Sequence, residues 1–175
     1  MLHGERIGLR ARHESDVAVL QAELYDDVDT RAAADSRPWR PISPGSAASP
    51  YAVADPSDDT AFFSVVTLSA DELAGEALLW GIDQHSRSAH LGISLRPGFR
   101  GQGLARDVLH VLCDYGFRVR GLHRLQLETV ADNAPMIKAA TAAGFVHEGT
   151  LRAAAWVTGQ FADLVVFGVL AADRA

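Results

Sequence analysis

The stretch "SLRPGFRGQGLARDVL", residues 94–109, has glycines at 98, 101 and 103 and arginines at 96, 100 and 106, just ahead of an apolar helical pattern. Glycines let backbone N–H groups converge with no Cβ in the way. A helix start adds unpaired N–H groups and about half a positive charge. Together they make a nest for an anion, and phosphate suits it. No acidic residue interrupts the run from Leu95 to Arg106. An ordinary turn before a helix would use similar glycines. A dinucleotide-binding fingerprint is excluded, because Arg106 stands where its third small residue should be.

Such a loop needs a strand to deliver it and a helix to back it. "AHLGISLRP" alternates as the strand, and the helix is expected from Gly103 to about Val119, with Leu104, Val108, Val111, Leu112, Tyr115 and Val119 on one face and Gly121 as its stop. Upstream, "ERIGLRAR" reads as a strand. Ser15 or Asp16 caps the helix "DVAVLQAEL", and a short second helix is expected at 30–35. Residues 36–60 form a loop with five of the seven prolines, as well as Trp39 and Tyr51. A loop of that length is an irregular flap anchored by its aromatics or a lid over a substrate.

"AFFSVVTL" and "LAGEALLWGID" are strands, the second joined to "AHLGISLRP" as an antiparallel neighbour. "HRLQLETV" alternates as a strand, "DNAPMIKAATAAGF" is a capped helix ending at Gly144, and "FVHEGTLRAAAWV" with "FADLVVFGVL" closes as a hairpin. The order is β, α, α, β, β, β, α, β, α, β, β. It predicts one α/β domain over residues 1–175, built on a mixed, mostly antiparallel sheet flanked by helices.

Composition narrows the function classes. The chain has 175 residues with 48% hydrophobic and 22% charged, enough for one well-formed core. The net charge of −6 argues against nonspecific nucleic-acid binding and is compatible with attracting a cationic amine. No apolar run is long enough to span a bilayer, and the charged start lacks a signal-peptide core. The single cysteine, Cys113, excludes intrachain disulfides and cysteine-based zinc sites; it reads as core filler in a protein of the reducing cytoplasm.

"RGQGLA" resembles the Arg/Gln-x-x-Gly-x-Gly/Ala signature of the GNAT superfamily of acyl-CoA N-acyltransferases, through Arg100, Gly103 and Ala105. "NAPMIKAATAAGFVHEGTLR", "GQFADLVVFGVL" and "RIGLRARHESDVAVL" resemble its later blocks and its first strand and helix, so only the proline-rich loop lies outside the likeness. The pattern is most similar to the RimJ/RimL-type branch of ribosomal-protein alanine N-acetyltransferases. The resemblance implies a GNAT-like fold whose fourth and fifth predicted strands splay apart. It implies acetyl-CoA, or another short acyl-CoA, as cosubstrate, and no metal. Backbone N–H groups of Gly101, Gln102, Gly103, Leu104 and Ala105 would hold the diphosphate, with Arg100 and Arg106 beside them. The pantetheine arm would pair with Ile93, Ser94 and Leu95, and Asn133 would touch it. Asn133 as a plain helix cap is the competing reading. A homodimer through the last strands is implied on the same ground.

The implied reaction is attack of a neutral amine on a thioester. A lysine-like amine, pKa ~10.4, costs about 4–5 kcal/mol to deprotonate at pH 7, and a peptide α-amine, pKa ~7.8, about 1. A weak base therefore suits α-amines. A backbone N–H near Leu95 is the candidate oxyanion donor, worth roughly 3 kcal/mol. Where the branch often carries a glutamate, this chain has His90, and imidazoles exchange protons near neutrality. Glu76 and Glu148 are rival bases. Trp39 and Asp163 are candidates for binding the acceptor. Two departures concern the general acid: Ala140 and Met136 stand where relatives often have tyrosine and serine. An acetyltransferase of peptide N-termini or small amines is one reading, and a weak or inert acyl-CoA-binding domain the other.

Overall fold

A computed structural model describes residues 1–34, 37–43 and 45–174. The strands are β1 (Leu2–His3), β2 (Ile7–Arg10), β3 (Thr60–Thr67), β4 (Leu73–Asp83), β5 (Ser88–Leu95), β6 (Arg124–Val130), β7 (Val146–Val157) and β8 (Gln160–Leu170). The helices are α1 (Glu14–Leu20), α2 (Val28–Ala34), α3 (Leu104–Asp114) and α4 (Ala134–Ala142). Apart from the two-residue β1, this is the order read from the sequence. The sheet runs β1-β2-β3-β4-β5-β6-β8-β7, antiparallel except between β5 and β6.

The core lies between one sheet face and α3 with α4. Leu104, Val108, Leu109, Leu112 and Cys113 of α3 are buried against Ile7, Leu9, Val65, Leu79, Leu91, Leu125 and Leu127 from the strands. Burying each of the larger side chains contributes about 1.5–3 kcal/mol. The opposite face carries α1, and α2 reaches across to β7. A small second core forms on this side from Leu20, Leu24, Tyr25 and Tyr51. Tyr51 is thus an anchor that ties the proline-rich loop down.

Several boundaries differ from the expected ones. Helix α1 starts at Glu14, so Asp16 sits inside its first turn, where its carboxylate accepts the His13 N–H at 2.9 Å. Helix α3 does not run unchanged to Val119. It passes into a π-helical turn over Tyr115–Val119, which advances the phase and leaves Val119 64% exposed. The short helix expected at 30–35 is α2. Asp35, with Ser36 and Pro44 of the loop, lies outside the described residues. No helix among the described residues is long and apolar enough to cross a membrane.

Candidate active site

The two parallel strands pair only at their beginnings, Ser88 with Arg124, Ala89 with Leu125 and His90 with Gln126. Beyond that point β5 continues to Leu95 and β6 to Val130 without pairing to each other. His90 therefore stands at the fork of a splay. The open edge can be assigned. The Arg87 carbonyl accepts from His123 and Arg124 on the β6 side, and the Arg96 N–H donates to Ala74 on the β4 side. Main-chain groups alternate along a strand, so Leu91, Ile93 and Leu95 turn theirs into the gap. Arg100 Nε already holds the Leu95 carbonyl at 2.8 Å.

The glycine loop closes the far end of this gap. Gly101 and Gly103 have φ of 71° and 77°, a region that favours residues without a Cβ. Gly103 caps α3 without any side-chain hydrogen bond. Among the described residues, the backbone amides of Gly101, Gln102, Gly103, Leu104 and Ala105 donate to no acceptor of the protein. The loop is braced from behind: Gln102 Nε2 donates to the Gly98 carbonyl at 2.8 Å, and Arg6 Nη1 to the Gln102 carbonyl at 2.7 Å. Space beside both glycines is open. These free donors, aimed from a helix start, fit a diphosphate.

The three arginines of this stretch have different work. Arg96 is a structural pin, paired with Glu23 and donating to the Leu73 carbonyl. Arg106 reaches along α3 to His110, Nε to Nε2 3.3 Å, and Arg174 meets the other ring nitrogen at 2.9 Å. Burial first, then those two cations, hold the His110 imidazole below its ordinary pKa. Arg100 and Arg106 both remain exposed.

On the face away from α3, the ring of His90 stacks on Trp80, with centroids 5.3 Å apart and planes 26° apart. A Cβ at Gly92 would meet the same indole at 3.2 Å, so Trp80 lies across His90 and Gly92 together. Sequence reading missed Trp80; its register opposite His90 in the β4–β5 hairpin is the signal that points to it. Glu76 is opposite Ser94, but its carboxylate takes Nη2 of Arg12 at 2.8 Å, with both side chains buried. Arg12 also lies over the Tyr51 ring, 5.6 Å from its centroid. Glu148 is clamped by Arg124, whose guanidinium holds the carboxyl below the usual glutamate value. Both rival bases are therefore committed to arginines.

The remaining candidates have structural contacts. Asn133 caps α4 by accepting the Met136 N–H at 3.3 Å and donates to Thr129 Oγ1 at 2.9 Å, leaving one lone pair and one N–H for another partner. Asp163 accepts the Ala153 N–H at 2.8 Å, holding a bulge in β7 where Ala153 has a positive φ. Trp39 is 38% exposed and sits 6.3 Å from Tyr25, on the α1–α2 side.

Residues 6–146 match the family model described as Acetyltransferase (GNAT) domain. The chain is 31% identical over 113 residues to the uncharacterized N-acetyltransferase p20 of Bacillus licheniformis, covering 65% of this chain and 64% of the relative. It is 30% identical over 100 residues to spermidine N(1)-acetyltransferase of Vibrio cholerae, covering 57% and 58%. These alignments span under two thirds of each relative. In structure, the chain is similar to the Vibrio cholerae spermidine N-acetyltransferase in complex with CoA and spermine, with a TM-score of 0.78, 21% identity and 95% and 96% of the two chains covered. Mycobacterium smegmatis RimJ in complex with CoA-disulfide gives a TM-score of 0.77 at 18% identity, with 95% and 83% covered. The family match covers most of the chain and agrees with the splayed sheet and the glycine loop. The chain belongs to the GNAT family of acetyltransferases.

Proposed function

We propose that the protein is an N-acetyltransferase that moves an acetyl group from acetyl-CoA to a primary amine. The observation that carries this reading is the set of unpartnered amides from Gly101 to Ala105 at the mouth of the β5–β6 gap. They would hold the diphosphate, with Arg100 and Arg106 adding charge. The gap-facing main chain of Ile93 and the N–H of Leu95 would pair with the pantetheine arm as an added strand would, and Asn133 has capacity left for it. Acetyl-CoA supplies the thioester; the chain supplies position and proton traffic. A main-chain N–H of β5 facing the gap is the donor for the oxyanion. His90, at the fork, accepts the proton of the attacking amine, and Trp80 fixes the plane of its ring.

The acceptor enters from the face that carries Trp80 and His90, under α1 and α2. Relatives named as a spermidine N(1)-acetyltransferase and a putative ribosomal N-acetyltransferase both bear on the acceptor, and a peptide α-amine or small polyamine fits a site with one imidazole base. One observation favours a second reading, an acyl-CoA-binding domain with little turnover: Ala140, where relatives often have tyrosine, is fully buried and offers no acid. Thiol release from acetyl-CoA across a panel of peptides, polyamines and aminoglycosides separates the two. Turnover with one acceptor class supports the transferase. CoA binding without turnover across the panel supports the second reading.

A further inference from the structure

The turn between β1 and β2 lies against the first turn of α3. Asp107, one turn into that helix, accepts N–H groups from Glu5 at 3.0 Å, Arg6 at 2.8 Å and Ile7 at 3.1 Å. A Cβ at Gly4 would collide with this carboxylate, so a larger residue there has to displace it. The Arg6 carbonyl is held as well, accepting from Leu68. The backbone of Arg6 is thus fixed at both its N–H and its carbonyl. From there the exposed side chain reaches back to the loop and donates to the Gln102 carbonyl at 2.7 Å.

In a trans peptide the C=O and the following N–H point in opposite directions, and no peptide among the described residues is cis. Holding the Gln102 carbonyl therefore fixes the direction of the Gly103 N–H. Gly103 sits at positive φ, with no side-chain cap and no neighbour within reach of a Cβ. Among the described residues, that peptide group makes no other hydrogen bond. The Asp107 carboxylate, which would otherwise oppose an anion at the helix start, is meanwhile turned to three N–H groups of the β1–β2 turn.

We propose that Arg6 is a positioning residue for the acyl-CoA cradle: it holds the Gln102–Gly103 peptide so that the Gly103 amide faces the diphosphate, from a turn remote in sequence from the loop. This rests on the reading that the loop grips the diphosphate of coenzyme A. Arg6 acts through the peptide plane rather than by its own charge on the ligand.

The test is calorimetric titration of coenzyme A into the full chain, its Arg6→Gln variant and its Arg6→Lys variant, at low salt and at about 0.5 M salt. Loss of one charge-assisted brace is expected to weaken coenzyme A by about three- to tenfold in Arg6→Gln. The Michaelis constant for acetyl-CoA should rise in parallel, with kcat at saturation changed by less than about twofold. The deficit should persist at high salt, and Arg6→Lys, which keeps a cationic donor of nearly the same reach, should recover part of it. In nitrogen–proton spectra of the free protein, the Gly103 amide should shift in Arg6→Gln. Equal affinity of Arg6→Gln and the unchanged chain, or a deficit abolished by salt, overturns the role of Arg6 and leaves the cradle standing. Absence of coenzyme A binding by the unchanged chain overturns the cradle reading itself.

Discussion

Arg12 and Glu76 meet at 2.8 Å with side chains only 3% and 9% exposed, on the sheet face that also carries His90. Breaking a buried pair from one side leaves a charge without its partner, at a cost of about 3–5 kcal/mol. Glu76→Gln is thus expected to lower stability by about 3 kcal/mol, read by urea unfolding. The double variant Arg12→Met with Glu76→Leu should recover much of that loss. If Glu76 were the base instead, Glu76→Gln would abolish turnover even where the variant remains folded.

His90 gives the opposite pattern. Its ring is stacked and half-buried, and its removal empties no core. His90→Ala should cut kcat by roughly 100-fold, in the range of a lost general base, with the thermal midpoint changed by only a few degrees. Trp80→Ala should act through the same ring, lowering kcat less than His90→Ala and raising the Michaelis constant for the amine. Full turnover in His90→Ala would remove the imidazole from the chemistry.

Cys113 bears on how turnover is measured. It is fully buried in the α3 core, and burial pushes its thiol up to about 12. Thiolate, not thiol, reacts with disulfide and maleimide reagents. The folded protein should therefore give no thiol signal with an aromatic disulfide reagent until denaturant is added. Thiol release from acetyl-CoA can then be followed without background, and treatment with N-ethylmaleimide should leave activity intact. Rapid labelling of native protein would contradict this.

Asp16 sets a pH limit on stability. Burial alone would raise its carboxyl, but hydrogen bonds from Arg10, the His13 amide and Ser64 outweigh that and hold it far below the usual range. A depressed carboxylate contributes stability that is complete above its unfolded pKa, about 3.9, and fades as pH falls toward the folded value. Asp16→Asn should cost about 2–3 kcal/mol at pH 7. The gap from the unchanged chain should narrow between about pH 5 and pH 2. A gap independent of pH would assign the loss to packing.

Much of this architecture was legible from local pattern. "LAGEALLWGID" is β4 from end to end, because a short apolar run closed by a turn marks a strand. Gly144, at φ 87°, ends α4 as its type and place foretell. The glycine loop could be placed because closely spaced glycines ahead of an apolar helical pattern mark a turn at positive φ. The phase of α3 past Asp114 could not, since a π-helical turn changes the period without any marker residue.

By itself, then, the sequence determined the order of elements, the glycine loop and the helix start behind it, since propensity, turn chemistry and periodicity act over a few neighbours. Only the tertiary structure decided which charged groups are free to react. Arg96 closes on Glu23, Glu76 on Arg12 and Glu148 on Arg124, while Trp80 covers His90 and Arg6 reaches Gln102. Those pairings join residues far apart in the chain, and a carboxylate or guanidinium is defined chemically by the neighbour that folding brings to it.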